Sequence, residues 1–234
     1  VDAWTRGDFP AAVKAWQVEA AKGDADAMFN LAQAYKLGNG VKQDLAQAEA
    51  VAALIDASRL SRAPSCSDLG FALGPRINAG GRVGESTLGV RLLTTEDPDE
   101  ARAIAAQLSV LNEERRAIEA AVQEAAEAQI ASQHNRAVIT LSGRGWHPGV
   151  IGIVASRLKE KMNRPAIVIA IGEDGIAKGS GRSITGVDLG AAVLAAKDHG
   201  LLMAGGGHAM AAGCTVAEEH FDTFEQALQQ LLNQ

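Results

Sequence analysis

Cysteine is nearly missing from this chain: Cys66 and Cys214 are the only two in 234 residues, and neither stands in a CxxC or Cys/His spacing. That excludes a disulfide framework and a zinc site, and it points to free thiols in a reducing compartment, with cytoplasm as the default. No apolar run approaches the roughly 18 residues that span a bilayer, so no membrane segment is expected. The longest, Ala166 to Ile171, reads as a buried strand. The N-terminus, Val1-Asp2-Ala3, carries neither the basic nor the apolar stretch of a secretory signal. Catalytic signatures are absent as well: there is no GxSxG, HExxH or GxxxxGK[ST] motif. His134, His147, His199, His208 and His220 form no ligand spacing, and the single Asp-His pair, Asp198-His199, falls at an expected helix end. Metal-assisted phosphodiester hydrolysis needs several carboxylates and histidines converging on one point, and the sequence offers none. Nor is there an excess of positive charge. A formal net charge of −6 does not advertise a nucleic-acid binder, whose affinity comes from Lys and Arg.

What is present suits a folded protein of one or two domains, with 47% hydrophobic and 21% charged residues. The charge is unevenly spread. Arg59, Arg62, Arg76, Arg82 and Arg91 face only Asp68 and Glu85 in their stretch, whereas acids crowd the stretch from Glu96 to Glu127. This is either a local cationic patch or a solvated face.

The first fifty residues repeat. Asp8-Phe9-Pro10-Ala11-Ala12 and Asp44-Leu45-Ala46-Gln47-Ala48 open two segments 36 positions apart (8 to 44), a period that fits a helix-turn-helix solenoid. Between them, Ala27, Leu31, Ala34 and Tyr35 share one helical face, and Gly38-Asn39-Gly40-Val41 ends that helix. The stretch resembles a Sel-one-like repeat of the tetratricopeptide-related family, over little more than one repeat. A domain boundary is expected near residue 50.

Beyond it, Asp97 and Pro98 read as N-cap and N1 of one amphipathic helix over 98–133, with apolar residues at Ile104, Leu108, Leu111, Ile118 and Val122. At 1.5 Å per residue such a helix is about 54 Å long and can link two domains. The rest alternates: strands over 137–141, 166–171, 176–180 and 214–216, helices over 150–162, 189–197 and 221–232. The fold class is therefore mixed α/β, with a short N-terminal α-helical hairpin region, a long connecting helix and a C-terminal α/β domain.

Three segments carry candidate chemistry. In Gly205-Gly206-Gly207-His208 three glycines free the backbone to aim N–H groups at one anion, with a titratable ring beside them; the alternative is a plain glycine-rich turn. Gly74-Pro75-Arg76-Ile77-Asn78-Ala79-Gly80-Gly81-Arg82 reads as a loop presenting two guanidiniums and an amide, either to phosphates or simply to solvent. In Lys178-Gly179-Ser180-Gly181-Arg182-Ser183 the arginine reaches for a phosphate while Ser180 and Ser183 donate hydrogen bonds, or the segment is a turn. Trp146-His147-Pro148-Gly149 opens a helix whose N-terminus suits an anion. Trp146 either stacks on a base or packs in the core, and His147 is assigned a structural role.

In order, LGFALGPRINAGGRVG, LNEERRAIE, GWHPGVIGIVASRL, KGSGRS, GVDLGAA and GGGHAMAAG resemble the C-terminal half of the catalytic core of the RecJ family, single-strand-specific 5′-to-3′ DNA exonucleases of the DHH phosphoesterase superfamily. The resemblance covers residues 52 to 234. It implies a remnant of the DHH domain over 51–97 and a DHH-associated domain over 134–234. It assigns substrate or phosphate contact to Gly205, Gly206, Gly207 and His208, with Arg76, Asn78, Arg82 and Arg182 as DNA-contacting partners. It also implies single-stranded DNA as the partner, and manganese or magnesium for the complete enzyme. The family's metal-binding aspartates and DHH run have no counterpart here, so no cofactor is expected on this chain alone. The expected function is the substrate-holding half of such a nuclease, inert by itself. The alternatives are a scaffold that docks a protein through the helical repeat, and a fusion fragment with no selected function.

Overall fold

The computed structural model describes residues 2–21, 25–41, 45–60, 62, 64–130 and 136–232, and the chain divides into two compact units, Val1–Glu114 and Arg115–Gln234. His134 lies outside the described residues.

The first unit is helical. A short α1 (Asp2–Thr5) precedes three helices of equal length, α2 (Phe9–Ala21), α3 (Ala25–Leu37) and α4 (Leu45–Ala57), which pack in chain order. Trp4 meets Phe9 edge-on with ring centroids 4.6 Å apart and Trp16 at 5.0 Å, so three aromatic rings tie α1 to α2. Next come a single turn, α5 (Cys66–Asp68), and a π-helical turn over Leu69–Leu73, which runs straight into α6 (Gly74–Val83) and then α7 (Leu88–Thr94). Ala50, Ala53 and Leu54 of α4 share a core with Leu73, Leu88, Leu92 and Leu108.

The GPRINAGGR segment is thus a helix where a loop was expected. Pro75 occupies the first turn, where its missing N–H costs nothing. Gly80 is there for close packing: a Cβ on it would stand 2.8 Å from the Glu85 carbonyl oxygen and 3.3 Å from a Leu108 methyl. Tertiary contact has overridden the poor helix propensity of the glycines.

The long helix α8 (Pro98–Gln129) begins as expected. The Asp97 carboxylate accepts from the Asp99 N–H at 2.8 Å and from that of Glu100 at 3.4 Å, a capping arrangement that satisfies two orphan donors. The division between the two units falls inside this helix.

The second unit is a five-stranded sheet with helices on both faces. Its strands are β1 (Ile139–Arg144), β2 (Ala166–Ile171), β3 (Ile176–Arg182), β4 (Ala204–His208) and β5 (Ala211–Ala217), in the spatial order β1-β2-β3-β5-β4. β1 and β2 run parallel, joined by α9 (Ile151–Met162), and the remaining pairs are antiparallel. α9 packs on β2 and β3. The opposite face is covered by α10 (Leu189–Asp198) and α11 (Phe221–Leu232), over a core of Ile167, Ile169, Ala177, Val193, Val216, Phe224 and Leu228. The start of β1 is completed by a side chain: the Gln229 amide oxygen accepts from the Ala137 N–H at 2.9 Å, and its amide nitrogen donates to the Val138 carbonyl at 2.7 Å.

Cys214 lies in that core with its sulfur against Gly179, where a Cβ would come within 2.4 Å. Burial pushes its thiol up to about 12. Because the folded value exceeds the ordinary 9.0, the stability that protonated Cys214 contributes is whole below pH 9.0 and is lost as pH rises toward 12. Two results are expected: peptide mapping after iodoacetamide at pH 8 finds Cys214 unmodified in the folded protein, and Cys214→Ala flattens the alkaline decline in urea-unfolding midpoint.

Candidate functional site

Alternation along β3 sends Ala177, Gly179 and Gly181 into the core and Lys178, Ser180 and Arg182 to the other face. Strand register then builds three rows across β3, β5 and β4: Lys178–Thr215–Ala204, Ser180–Gly213–Gly206 and Arg182–Ala211–His208. Directly paired residues share a face, so all nine lie on the side that α9 covers over β2 and β3. Gly213 is exposed although β5 is an interior strand, and a Cβ on Gly206 would meet nothing within 4 Å. Beyond Ser180 the middle row is therefore a bare backbone floor of Gly213 and Gly206, with Arg182 and His208 in the adjacent row.

The Arg182 guanidinium folds back over this floor. Its Nη1 donates to Ser180 Oγ at 3.0 Å and to the Gly181 carbonyl at 2.8 Å. Gly152, in the first turn of α9, makes room for it: a Cβ there would stand 2.9 Å from Ser180 Oγ and 3.0 Å from Arg182 Nη2. Gly152 thus makes space for one particular group, a guanidinium held beside a helix N-terminus. In the turn before that helix, His147 Nδ1 accepts from the Gly149 N–H at 3.0 Å, which orders the backbone. Trp146 lies over Gly143 of β1, where a Cβ would collide with the indole at 2.2 Å. Its half-buried ring is a packing element.

At the opposite edge, the Gly205–His208 run is β4, an extended strand where the sequence suggested a loop aiming several N–H groups at one anion. The hairpin closes at the His208–Ala211 pair through Ala209 and Met210. Gly207 is required by proximity, since a Cβ would fall 2.3 Å from the Ala211 carbonyl oxygen and 2.5 Å from Ala212 Cα. Two backbone bonds hold the hairpin tip: Ser183 N–H donates to the Met210 carbonyl at 2.9 Å, and Leu189 N–H to the Ala209 carbonyl at 3.1 Å. Asp188 caps α10 by accepting from the Ala191 N–H at 2.9 Å. Gly190 lets that helix come down onto β4, with its ideal Cβ position only 2.8–2.9 Å from backbone atoms of His208. The exposed His208 ring accepts from the Met210 N–H through Nδ1 at 3.4 Å, leaving Nε2–H as the donor of the neutral ring.

The structure therefore brings Arg182, Gly206 and His208 together on one sheet face, while Gly205 and Gly207 alternate to the opposite side, where a Cβ on Gly205 would meet Leu202 and Val193. It also corrects two details. KGSGR closes an interior strand rather than forming a turn, and Ser183, just beyond it, is buried with its hydroxyl committed to the Val187 carbonyl at 2.8 Å. Gly190 and Gly152 set the geometry; the first had no assigned role in the sequence, although a glycine inside a helix is a signal for close approach.

Arg76, Asn78 and Arg82 belong to the other unit, on α6. Arg76 is half-buried, donating to the Ala72 carbonyl at 2.6 Å and to Ser109 Oγ at 3.2 Å. Asn78 and Arg82, four residues apart, share an exposed face. Arg62 pairs with Asp68 at 2.6 Å, holding that carboxyl far below its usual range, and Arg91 pairs with Glu100 at 2.7 Å. Much of the local positive excess is thereby neutralised. Among the described residues no three His, Cys, Asp or Glu side chains gather to hold a metal, so the donor set does not fit a metal centre.

Residues 134–234 match the family model of the DHHA1 domain. The single-stranded-DNA-specific exonuclease RecJ of Dickeya dadantii is 46% identical over 176 residues, covering 72% of this chain and 30% of that protein. RecJ of Escherichia coli is 41% identical, covering 76% of this chain and 32% of its own length. The chain thus spans about a third of the relatives it matches. Crystal structures of Thermus thermophilus RecJ superpose with TM-scores of 0.68 for the Mg2+ complex, at 32% identity over 83% of this chain, and 0.72 for the Mn2+ complex, at 29% identity over 88%. Each comparison covers about 30% of the crystallised chain, 31% and 29% respectively. No helix among the described residues is long and apolar enough to cross a membrane.

Proposed function

Starting from a C-terminal part that is a DHHA1 domain homologous to the corresponding region of RecJ exonucleases, we propose that this chain holds single-stranded DNA for a RecJ-type nuclease and does not cleave it alone. The observation that carries the reading is the bare floor of Gly206 and Gly213 between Arg182 and His208. A sheet surface without side chains lets a sugar-phosphate backbone approach the main chain closely. Arg182 supplies a planar fork for phosphate oxygens, and His208 Nε2 supplies a second donor across the floor. Asn78 and Arg82 on the exposed face of α6 are proposed as further DNA contacts. Arg76, with donors already engaged, serves mainly to hold α6 in place. Metal-assisted phosphodiester hydrolysis needs a cluster of carboxylates and histidines that is not found among the described residues, so Mn2+ or Mg2+ is assigned to a complete enzyme. The packed helices α2 to α4 are proposed as a repeat-like element for a protein partner, and the cytoplasm as the place of action.

Fluorescence anisotropy with a labelled single-stranded oligonucleotide tests the reading. Salt-sensitive binding is expected, with Arg182→Ala and His208→Ala each weakening it about tenfold, the scale of a lost charge-assisted hydrogen bond. Unchanged affinity in both variants overturns it. Robust Mn2+-dependent digestion of single-stranded DNA by the purified chain overturns the claim that it is inert.

A further inference from the structure

Lys178 stands on the same open face as Arg182 and has no role in the binding site described so far. It is exposed, it makes no ion pair among the described residues, and its row partner Thr215 presents a hydroxyl on the same face. Four residues of strand separate it from Arg182, about 13 Å at 3.3 Å per residue. The functional separation is smaller. The Arg182 guanidinium is bonded to Ser180 Oγ, so its charge sits over the middle row, two residues or about 7 Å along the strand from Lys178. That is the scale of one extended nucleotide. The two cations are then spaced along a single direction, parallel to β3, with the floor of Gly213 and Gly206 beside them.

We propose that Lys178, with Thr215 beside it, forms a second phosphate position on the sheet face, so that the floor receives two consecutive phosphates of a strand running parallel to β3 over β5 and β4. The inference rests on the nucleic-acid reading of this site and deepens it: the ligand class is a single strand of at least two linked nucleotides, and a mononucleotide fills only the Arg182 end. An ammonium on a flexible stem suits this position because it follows a phosphate as a point charge and demands no fixed geometry. Residues on each side frame the row. Ala170 of β2 lies next to Lys178 in register, and Ala204 next to Thr215, so neither neighbour in the row brings a carboxylate.

The experiment compares 5′-phosphorylated thymidine mono-, di- and decanucleotides on the intact chain by competition with a labelled oligonucleotide, using wild type, Lys178→Gln and Arg182→Gln. Lys178→Gln is expected to weaken the di- and decanucleotide five- to tenfold, to leave the mononucleotide unchanged, and to lower the salt slope by about 0.7 for the lost contact. Arg182→Gln is expected to weaken all three. If Lys178→Gln binds the dinucleotide and decanucleotide like wild type while Arg182→Gln does not, the second position is wrong and the broader reading stands. Failure of all three ligands to bind wild type overturns both. Lys178→Arg, which keeps the charge, is expected to restore binding; loss in that variant as well as in Lys178→Gln, with native circular dichroism, also counts against a phosphate contact.

Discussion

Gly190→Ala is expected to destabilise the C-terminal unit by about 2–3 kcal/mol, the upper range for forcing a methyl into packed backbone, and to weaken oligonucleotide binding at least tenfold. The methyl group would arrive 2.8–2.9 Å from the nitrogen, Cα and carbonyl carbon of His208. A flexible side chain could swing aside; a strand bonded to β5 on one side and tied at its tip by Ser183 and Leu189 cannot. Either α10 lifts, exposing the core that its Leu189 and Val193 share with Leu202 and Phe224, or β4 shifts and carries His208 away from Arg182. Both outcomes damage the floor. Gly206→Ala is the matched comparison, because its Cβ meets nothing within 4 Å. It should leave urea stability within about 0.5 kcal/mol of wild type, as ordinary surface changes do, and still weaken binding by putting a methyl where the strand must lie. Equal stability of Gly190→Ala and wild type refutes the seat assigned to Gly190.

Glu119→Ala is expected to cost about 3–5 kcal/mol, the usual penalty for removing one member of a buried ion pair. The Glu119 side chain is only 4% exposed and binds both Arg115, on its own helix, and Arg157 of α9. Arg115 is itself 12% exposed, so deleting the carboxylate takes a close counter-charge away from a confined guanidinium. Arg157, at 53%, escapes to water. The asymmetry gives a second expectation: Arg157→Ala costs well under half of what Glu119→Ala does, and the double change Arg115→Met with Glu119→Leu recovers most of the loss. Urea unfolding of the three variants beside wild type measures this, and a Glu119→Ala midpoint equal to wild type disproves the role of the pair.

Periodicity made the helices and most strands legible. Strand Ala166–Ile171 and helix Phe221–Leu232 have the limits their apolar patterns suggest, and Asp97 with Pro98 marked the start of the long helix. Two segments rich in glycine misled, for opposite reasons. Gly74–Val83 is a helix because neighbours need its missing side chains, and a sequence does not display who the neighbours are. Gly205–His208 is a strand whose hairpin turns on Ala209-Met210, lacking the Asn-Gly or Gly-Asn signal that would have marked it. The site was half legible. Arg182 and His208 each stood out by residue type, but their shared row exists only because β5 inserts between β3 and β4, and no local pattern encodes strand order.

Gln229 sets a condition on how the protein is made. The amide that completes the head of β1 is contributed by a residue more than ninety positions downstream, with partners at 2.9 and 2.7 Å, and β5, which joins the two halves of the sheet, is the last strand to be synthesised. While the ribosome is still translating α11, the nascent sheet has an unpaired strand head and a hairpin only just emerging. The head of β1 is therefore finished only after Gln229 has emerged from the exit tunnel, later than every strand of the sheet it completes.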